Sequence, residues 1–166
     1  MKRILASLVL MVLLFPGFVL GETMMDLVGR DGLFYKEFTD VPFTGNITGK
    51  IRGTIRNGKK NGPWVYNWNR GQLWKKGTYR DGKEEGPWVY NWNNGQLFCK
   101  GTYRDGKKEG LWVEYSGNGQ LFFKGFFKGT YRDGKKEGLW VYNWNNGQLW
   151  KKETYQDGKL VEQLQH

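Results

Sequence analysis

The chain is poor in the residues that do chemistry. Among its 166 residues there are one Cys, one His and 4 Pro, and beyond position 21 the only Ser is Ser116. A nucleophile needs a base within hydrogen-bond reach. The single imidazole is His166, so Ser–His and Cys–His hydrolysis are not expected. The same scarcity leaves no zinc or copper ligand set. A lone Cys99 cannot close an internal disulfide and is expected as a buried thiol, the alternative being a link between two chains. No glycine-rich segment joins a strand to a helix, so a phosphate cradle is absent as well. Catalytic residues, cofactors and metals are all expected to be none.

In place of these the sequence carries 25 Gly and 28 aromatics (10 Phe, 9 Trp, 9 Tyr), with 26 Lys and Arg against 16 Asp and Glu for a net charge of +10. Disordered chains lack aromatics, and collagen needs Gly at every third position with abundant Pro. The excess therefore asks for a periodic explanation.

Residues 1–21, MKRILASLVLMVLLFPGFVLG, place Lys2 and Arg3 before an apolar run from Ile4 and a small residue, Gly21, at its end. This is the layout of a secretory signal peptide cleaved between Gly21 and Glu22. The alternative is an uncleaved anchor, since Ile4 to Leu20 is at the lower limit of a spanning length. Pro16 and Gly17 interrupt the run and favour cleavage. The expected location is periplasmic or secreted.

Beyond a degenerate opening unit at 22–52, the chain repeats with a period of 24. The copies are 53–76, 77–100, 101–128 with a four-residue insert, 129–152 and a partial 153–159, followed by a polar tail at 160–166. Trp64, Trp88, Trp112 and Trp140 are spaced 24, 24 and 28, and the surplus is visible as the tandem FFKGFFKG from Phe122 to Gly129. Each copy holds two hairpin signals, Asn-Gly (94–95, 118–119, 146–147) and Asp-Gly (81–82, 105–106, 133–134, 157–158). Turn glycines alternately 13 and 11 apart leave room for strands and none for helices.

Two-residue loops fix a pairing. Around Asn94-Gly95, Trp92 opposes Leu97, Tyr90 opposes Cys99 and Trp88 opposes Gly101. Around Asp105-Gly106, Gly101 opposes Gly110 and Cys99 opposes Trp112. Strand alternation then gathers Trp88, Tyr90, Trp92, Leu97, Cys99, Gly101, Tyr103, Gly110 and Trp112 on one face, with Asn91, Asn93, Gln96, Lys100, Thr102 and Arg104 on the other. Val89 and Phe98 are the apolar exceptions on that polar face. A glycine opposite a tryptophan lets the indole lie over bare backbone. The expected fold is all-β: an open, elongated, single-layer antiparallel meander of hairpins. The four-residue insert, being even, keeps the faces and predicts a longer strand pair, a bulge or a protruding loop near Phe122 to Gly129.

The iterated pattern Y-x-D-G-K-x-x-G-x-W followed by N-G-Q-L resembles the MORN-repeat variant family of bacterial proteins, over about residues 31–159. The segment DGLFYKEFTDVPFTGNITG (31–49) resembles the degenerate first unit of such proteins. The resemblance implies an open β-meander acting as a binding or scaffolding surface. Some relatives are labelled antitoxins of toxin–antitoxin pairs, and the broader group is linked to phospholipid binding and protein assembly.

Two surfaces are candidates for binding. One is the aromatic face: Trp64, Tyr66, Trp88, Tyr90, Trp92, Trp112, Trp140, Tyr142 and Trp144. It would exceed the exposed apolar area normal for a soluble monomer, so either successive repeats stack their rings or a partner covers them. The other is a periodic cationic rim of Lys83, Lys107, Lys108, Lys135 and Lys136, with Lys59 and Lys60 in the first copy, suited to anionic head groups, anionic glycans or an acidic protein. Its simplest reading is solvation and protection of edges. The recurring Asp and Glu read as turn formers, since glycosidases need two carboxylates facing one cleft. The expected function is a non-enzymatic, exported scaffold whose partner is a protein, with an anionic lipid or a cell-wall glycan as the other partner classes. A carbohydrate-binding module and an antitoxin-like, partner-neutralising protein are the alternatives, and nucleic acid is disfavoured by the signal peptide.

Overall fold

The computed structural model describes residues 21–116, 125–144 and 146–165. Among the described residues thirteen strands follow a single 3-10 turn at Met24–Asp26. They are β1 (Leu27–Arg30), β2 (Leu33–Lys36), β3 (Gly45–Ile47), β4 (Ile51–Arg56), β5 (Lys59–Asn67), β6 (Leu73–Arg80), β7 (Lys83–Asn91), β8 (Leu97–Arg104), β9 (Lys107–Ser116), β10 (Gly125–Arg132), β11 (Lys135–Asn143), β12 (Leu149–Gln156) and β13 (Lys159–Gln165). Strands β3 to β13 form one eleven-stranded antiparallel sheet in sequence order, open at both ends, and β1–β2 is a separate hairpin. The expected all-β meander is what the chain forms.

The Asp-Gly turns are two-residue loops. Asp105 and Gly106 have φ of 51° and 79°, and Arg104 faces Lys107. Positive φ at both central residues defines the type I′ turn, whose twist matches that of the strands. Successive turns are also tied together: Gly106 N–H donates to Glu84 O at 2.9 Å, and Gly134 N–H to Lys108 O at 2.9 Å.

The Asn-Gly ends differ from the expectation. Trp92 N–H donates to Gln96 O at 2.8 Å and Gly95 N–H to Trp92 O at 2.9 Å, so the loop has three residues, with Gly95 at φ 85°. Asn91 therefore faces Leu97, a bulge at Phe98 absorbs the extra residue, and Tyr90↔Cys99 and Trp88↔Gly101 are recovered. Those two expected pairs stand, and Trp92↔Leu97 does not. The Asn118-Gly119 turn lies outside the described residues.

A second correction concerns the other side of each β-strand. Cys99 faces Glu114, not Trp112, because two extra residues enter β9 between Val113↔Lys100 and Glu109↔Thr102. Gly110, expected merely to sit opposite Gly101, has φ 67° and makes this bulge, as do Gly62, Gly86 and Gly138 in their copies. A positive φ is cheap only for glycine. Two being an even number, the faces are preserved.

The insert is partly accounted for. Strand β10, GFFKGTYR, matches β8, LFCKGTYR, in length and pairs with β9 without a break from Gly125↔Ser116 to Tyr131↔Gly110. Strand β9 has ten residues where β7 and β11 have nine, and residues 117–124, which join it to β10, lie outside the described residues. So do residues 1–20, on which the signal-peptide reading rests.

The opening unit caps the first full repeat. Leu27, Phe43, Ile47 and Ile55 form a buried cluster with Trp64, and Gly58, in the turn before β5, exchanges backbone bonds of 2.8 Å with Phe34 and Phe43. At the other end, 160–166 is not simply a polar tail. Lys159–Gln165 is an edge strand paired with β12, and Leu160, Val161 and Leu164 on it are about half exposed.

Candidate functional site

The central tryptophans are covered by their own chain. Trp64, Trp88, Trp112 and Trp140 are between 0% and 4% exposed. Each indole lies over the glycine of the preceding strand: a Cβ added at Gly53, Gly77, Gly101 or Gly129 would come within 2.1–2.3 Å of the indole of Trp64, Trp88, Trp112 or Trp140 respectively. The glycine that accepts each indole belongs to the hairpin N-terminal to it, which pairing around the Asn-Gly turn alone would not have indicated.

Between the indoles stand the tyrosines of G-T-Y-R and its variant E-T-Y-Q. Trp64, Tyr79, Trp88, Tyr103, Trp112, Tyr131, Trp140 and Tyr155 meet edge to face in succession, at 5.9, 5.1, 5.9, 5.1, 6.1, 5.1 and 6.3 Å between centroids. Such pairs contribute about 0.5–1.5 kcal/mol each beyond area burial. Of the expected aromatic set, Tyr66 and Tyr90 stack on Trp64 and Trp88 at 6.0 Å, and Tyr142 lies tilted 6.5 Å from Trp140. Burial raises the pKa of the hydroxyls of Tyr66, Tyr90 and Tyr142 above the ordinary phenol range.

Trp92 and Trp144 do not join this ladder. The three-residue loop and the bulge turn them toward the residue six positions on, giving the pairs Trp68–Trp74 (5.3 Å), Trp92–Phe98 (4.4 Å) and Trp144–Trp150 (5.0 Å) at one end of the hairpins. Phe98, expected as an exception on the polar face, is thereby a ring partner. Trp74, Trp144 and Trp150 are 38%, 49% and 38% exposed. A groove between two of these tips is lined by Trp68, Asn69, Arg70, Gln72, Asn93 and Asn94. The recurring W-N-x-G-Q-L-[WF] spacing was the available signal for these pairs.

The lysines divide into two rows because neighbours on a strand point to opposite faces. Lys83, Lys107 and Lys135, with Lys59, stay at the Asp-Gly rim, where their stems lie beside the next turn glycine. Lys83 Nζ reaches Asp105 at 2.7 Å and Lys107 Nζ reaches Asp133 at 4.0 Å, both exposed pairs. Lys108 and Lys136, expected on the same rim, instead fold over the aromatic face with Lys60. Their Nζ atoms stand 4.2, 4.4 and 4.9 Å from the rings of Trp112, Trp140 and Trp64. Lys75 and Lys151 join them there, at 4.6 and 4.5 Å from Tyr66 and Tyr142. Burial lowers the pKa of Lys60, Lys75 and Lys136. The alternation that divides the two rows was available from the strand pattern, and so was the place of Lys75 and Lys151, which stand at the repeat position of Cys99.

The carboxylates have structural partners. Glu85, Glu109 and Glu137 accept the backbone N–H of Asp105, Asp133 and Asp157 at 2.9–3.0 Å, and each also faces an arginine, Arg80, Arg104 or Arg132, at 3.5–3.7 Å. Asp81, Asp105, Asp133 and Asp157 occupy the left-handed turn positions, at φ of 51–52°. Cys99 is free and buried, and burial, with Glu114 nearby, pushes its thiol up to about 12. Among the described residues no group of His, Cys, Asp and Glu is arranged to hold a metal ion.

A single sheet of stacked hairpins, with its rings packed along the meander and its charges along one rim, defines a β-repeat protein. The family model described as MORN repeat variant matches residues 84–105, 108–128 and 136–157, so these three repeats are of the MORN repeat variant kind. Repeats of this kind are protein- or membrane-binding modules, and that coarse description applies here. No curated protein matches the chain.

Proposed function

We infer that the chain is a non-enzymatic, exported scaffold that presents its hairpin edges to a protein partner of the cell envelope. Export rests on the signal-peptide pattern of residues 1–21. The observation that supports the scaffold reading is the self-packed Trp–Tyr ladder. With the central rings consumed by packing and the acidic side chains engaged at the turns, the repeated chemistry left facing solvent is the row of Lys59, Lys83, Lys107 and Lys135 at one rim and the ring pairs at the opposite tips. An acidic protein surface complements the rim. Partner neutralisation, as in an antitoxin, would be the special case of one tightly held protein.

The test is capture from envelope extracts by the chain beginning at Glu22, compared with a variant in which the four rim lysines are Glu. Specific proteins retained by the first and lost by the second support the reading. Equal capture by both would overturn the rim mechanism. Co-sedimentation with anionic vesicles at rising salt separates lipid from protein, because an electrostatic lipid contact weakens as the Debye length shrinks.

The exposed tip pairs favour a second reading, a cell-wall glycan. Trp68–Trp74 and Trp144–Trp150 recur beside Asn and Gln side chains, a combination that offers apolar sugar faces a platform and their hydroxyls partners. Peptidoglycan fragments should then quench tryptophan fluorescence saturably, and Trp74→Ala with Trp150→Ala should abolish the change. No response at high fragment concentration excludes this reading.

A further inference from the structure

On the aromatic face, the first and last full repeats carry their own cation. Lys75 pairs across the strands with Tyr66, and its ammonium is 4.6 Å from the Tyr66 ring, 5.0 Å from Trp74, 5.6 Å from Trp88 and 6.0 Å from Tyr90. Lys151 pairs with Tyr142 and lies 4.5 Å from that ring and 4.9 Å from Trp150. Rings at these distances attract a cation through their negative faces.

One period after Lys75 the cation is missing. The position is Cys99, paired with Tyr90 on one side and Glu114 on the other. Advancing the Lys75 surroundings by 24 residues gives Tyr90, Phe98 and Trp112 for three rings, and for the fourth it gives Glu114, a carboxylate. The Tyr90 and Trp112 rings stand 6.5 Å apart and tilted by 39°, close enough for one ammonium to contact both. Tyr90 and Glu114 are half-buried, so both keep contact with solvent while part of each is withdrawn from water. Among the described residues Glu114 forms no ion pair within 4.0 Å, and burial raises its pKa, opposed by Lys108 and Lys136.

The resident charges allow a second cation. Lys108 already stands 4.2 Å from Trp112. In the last repeat, however, Lys136 and Lys151 approach the same Tyr142 ring, at 5.6 and 4.5 Å, with Glu153 as the shared carboxylate. Glu114 stands in the corresponding relation to Lys108 and an incoming ammonium. On the strand before, Glu84 occupies the position that is Lys60, Lys108 or Lys136 in the other copies, and it adds negative charge beside Tyr90 and Tyr103.

The geometry points to a binding site at Tyr90, Trp112 and Glu114 for a primary alkylammonium group, the head of a lysine side chain from a partner protein. It takes from outside the cation that Lys75 and Lys151 supply from within. The assignment refines the protein-binding reading above, and a small probe separates the two: an ammonium site without any captured protein would leave the site standing and the partner wanting.

The experiment is a titration of the chain beginning at Glu22 with n-butylammonium chloride against sodium chloride at equal ionic strength, followed by the ring resonances of Tyr90 and Trp112. Saturable shifts are expected at these rings. Cys99→Lys restores the lysine of the first and last full copies, so the tethered ammonium should compete and weaken the probe by about tenfold or more, while leaving the thermal midpoint unchanged or raised. Glu114→Gln, which keeps shape and removes charge, should weaken it comparably, and Lys107→Ala at the rim should not. Absence of a saturable shift in the unmodified chain overturns the site. So does an equal response in it and in both substituted forms. If Cys99→Lys misfolds, Glu114→Gln alone decides.

Discussion

Replacing Gly101 by Ala tests the packing of the ladder at one of its two tightest points. Its added Cβ would lie 2.1 Å from Cδ2 and 2.2 Å from Cε2 of Trp112, where contact between carbons is about 3.5–4.0 Å. The indole must therefore move by about 1.5 Å. It cannot do so alone, because Tyr103 and Tyr131 meet it edge-on at 5.1 and 6.1 Å and its Nε1–H donates to Thr102 O at 3.1 Å. Overpacking costs about 1–3 kcal/mol, and losing the geometry of one or two aromatic pairs adds about 0.5–1.5 kcal/mol each. A loss of about 3 kcal/mol results, which lowers the thermal midpoint of a chain this long by about 6–12 °C. The sign is informative, since Gly→Ala in a strand with room stabilises by about 0.5–1 kcal/mol. Thermal unfolding followed by near-ultraviolet circular dichroism reads the effect, and a double-mutant cycle locates it. Trp112→Ala removes the clash along with the ring, so combining it with Gly101→Ala should cost about 2 kcal/mol less than the sum of the two single changes. Additive effects, or a Gly101→Ala protein as stable as the parent, would refute the argument.

Three other outcomes follow from the same packing. The Cys99 thiol, buried and pushed up to about 12, should react with a disulfide reagent at pH 8 only as fast as the chain opens, and non-reducing gels should show no disulfide-linked dimer. Burial pushes the Glu153 carboxyl up, but Lys151 at 2.6 Å and the hydroxyls of Tyr142 and Tyr155 outweigh it and hold the group at about 2. A depressed pKa contributes stability above the ordinary carboxylate range that is lost as pH falls toward 2. Thermal midpoints measured between pH 5 and 2 should therefore fall less steeply in Glu153→Gln than in the parent. Finally, deleting Gly125–Lys128 restores the 24-residue spacing and should leave the midpoint within a few degrees, whereas deleting Phe126 alone should collapse the aromatic dichroism, because one residue reverses the faces and four do not.

The period, the hairpin turns and the aromatic stripe were readable because each depends on local rules: Asp-Gly at positive φ, alternation along a strand, and recurrence of Trp every 24 residues. The register on the β8–β9 side was not, because it depends on Gly110 adopting φ 67°, a demand that alternation does not reveal. For the same reason Trp92 was placed on the ladder. Nothing in the motif distinguishes a two-residue Asn-Gly loop from a three-residue loop followed by a bulge at Phe98 that restores the original pairing. The rim holds only some of the expected lysines, because strand alternation sends Lys107 to the edge and Lys108 over Trp112. The edge strand Lys159–Gln165 was read as a polar tail because its apolar residues are few and no Trp or Gly marks it.

That missing tryptophan explains the one place where the repeat changes a glycine to a large residue. Gly53, Gly77, Gly101 and Gly129 each lie under an indole from the following strand, but Glu153, the fifth member of the series, is followed by β13, which brings none. With no ring to accommodate, the position can hold a side chain. The chain places there a carboxylate, only 5% exposed, that ties Lys151 to Tyr155 and closes the aromatic face. The departures inside the array obey a related constraint. The bulges at Gly62, Gly86, Gly110 and Gly138 insert two residues, the Asn-Gly loops add one that the adjacent bulge recovers, and the tetrapeptide insert adds four. Every net offset is even or cancelled. A ladder that must return each tryptophan to the same face tolerates changes of length only in that form, and Trp140, 28 residues after Trp112, still meets Tyr131 at 5.1 Å. The freedom that remains lies in which side chain stands at a given register position, and at Cys99 and Glu114 that freedom removes a resident cation without disturbing the rings that would hold one.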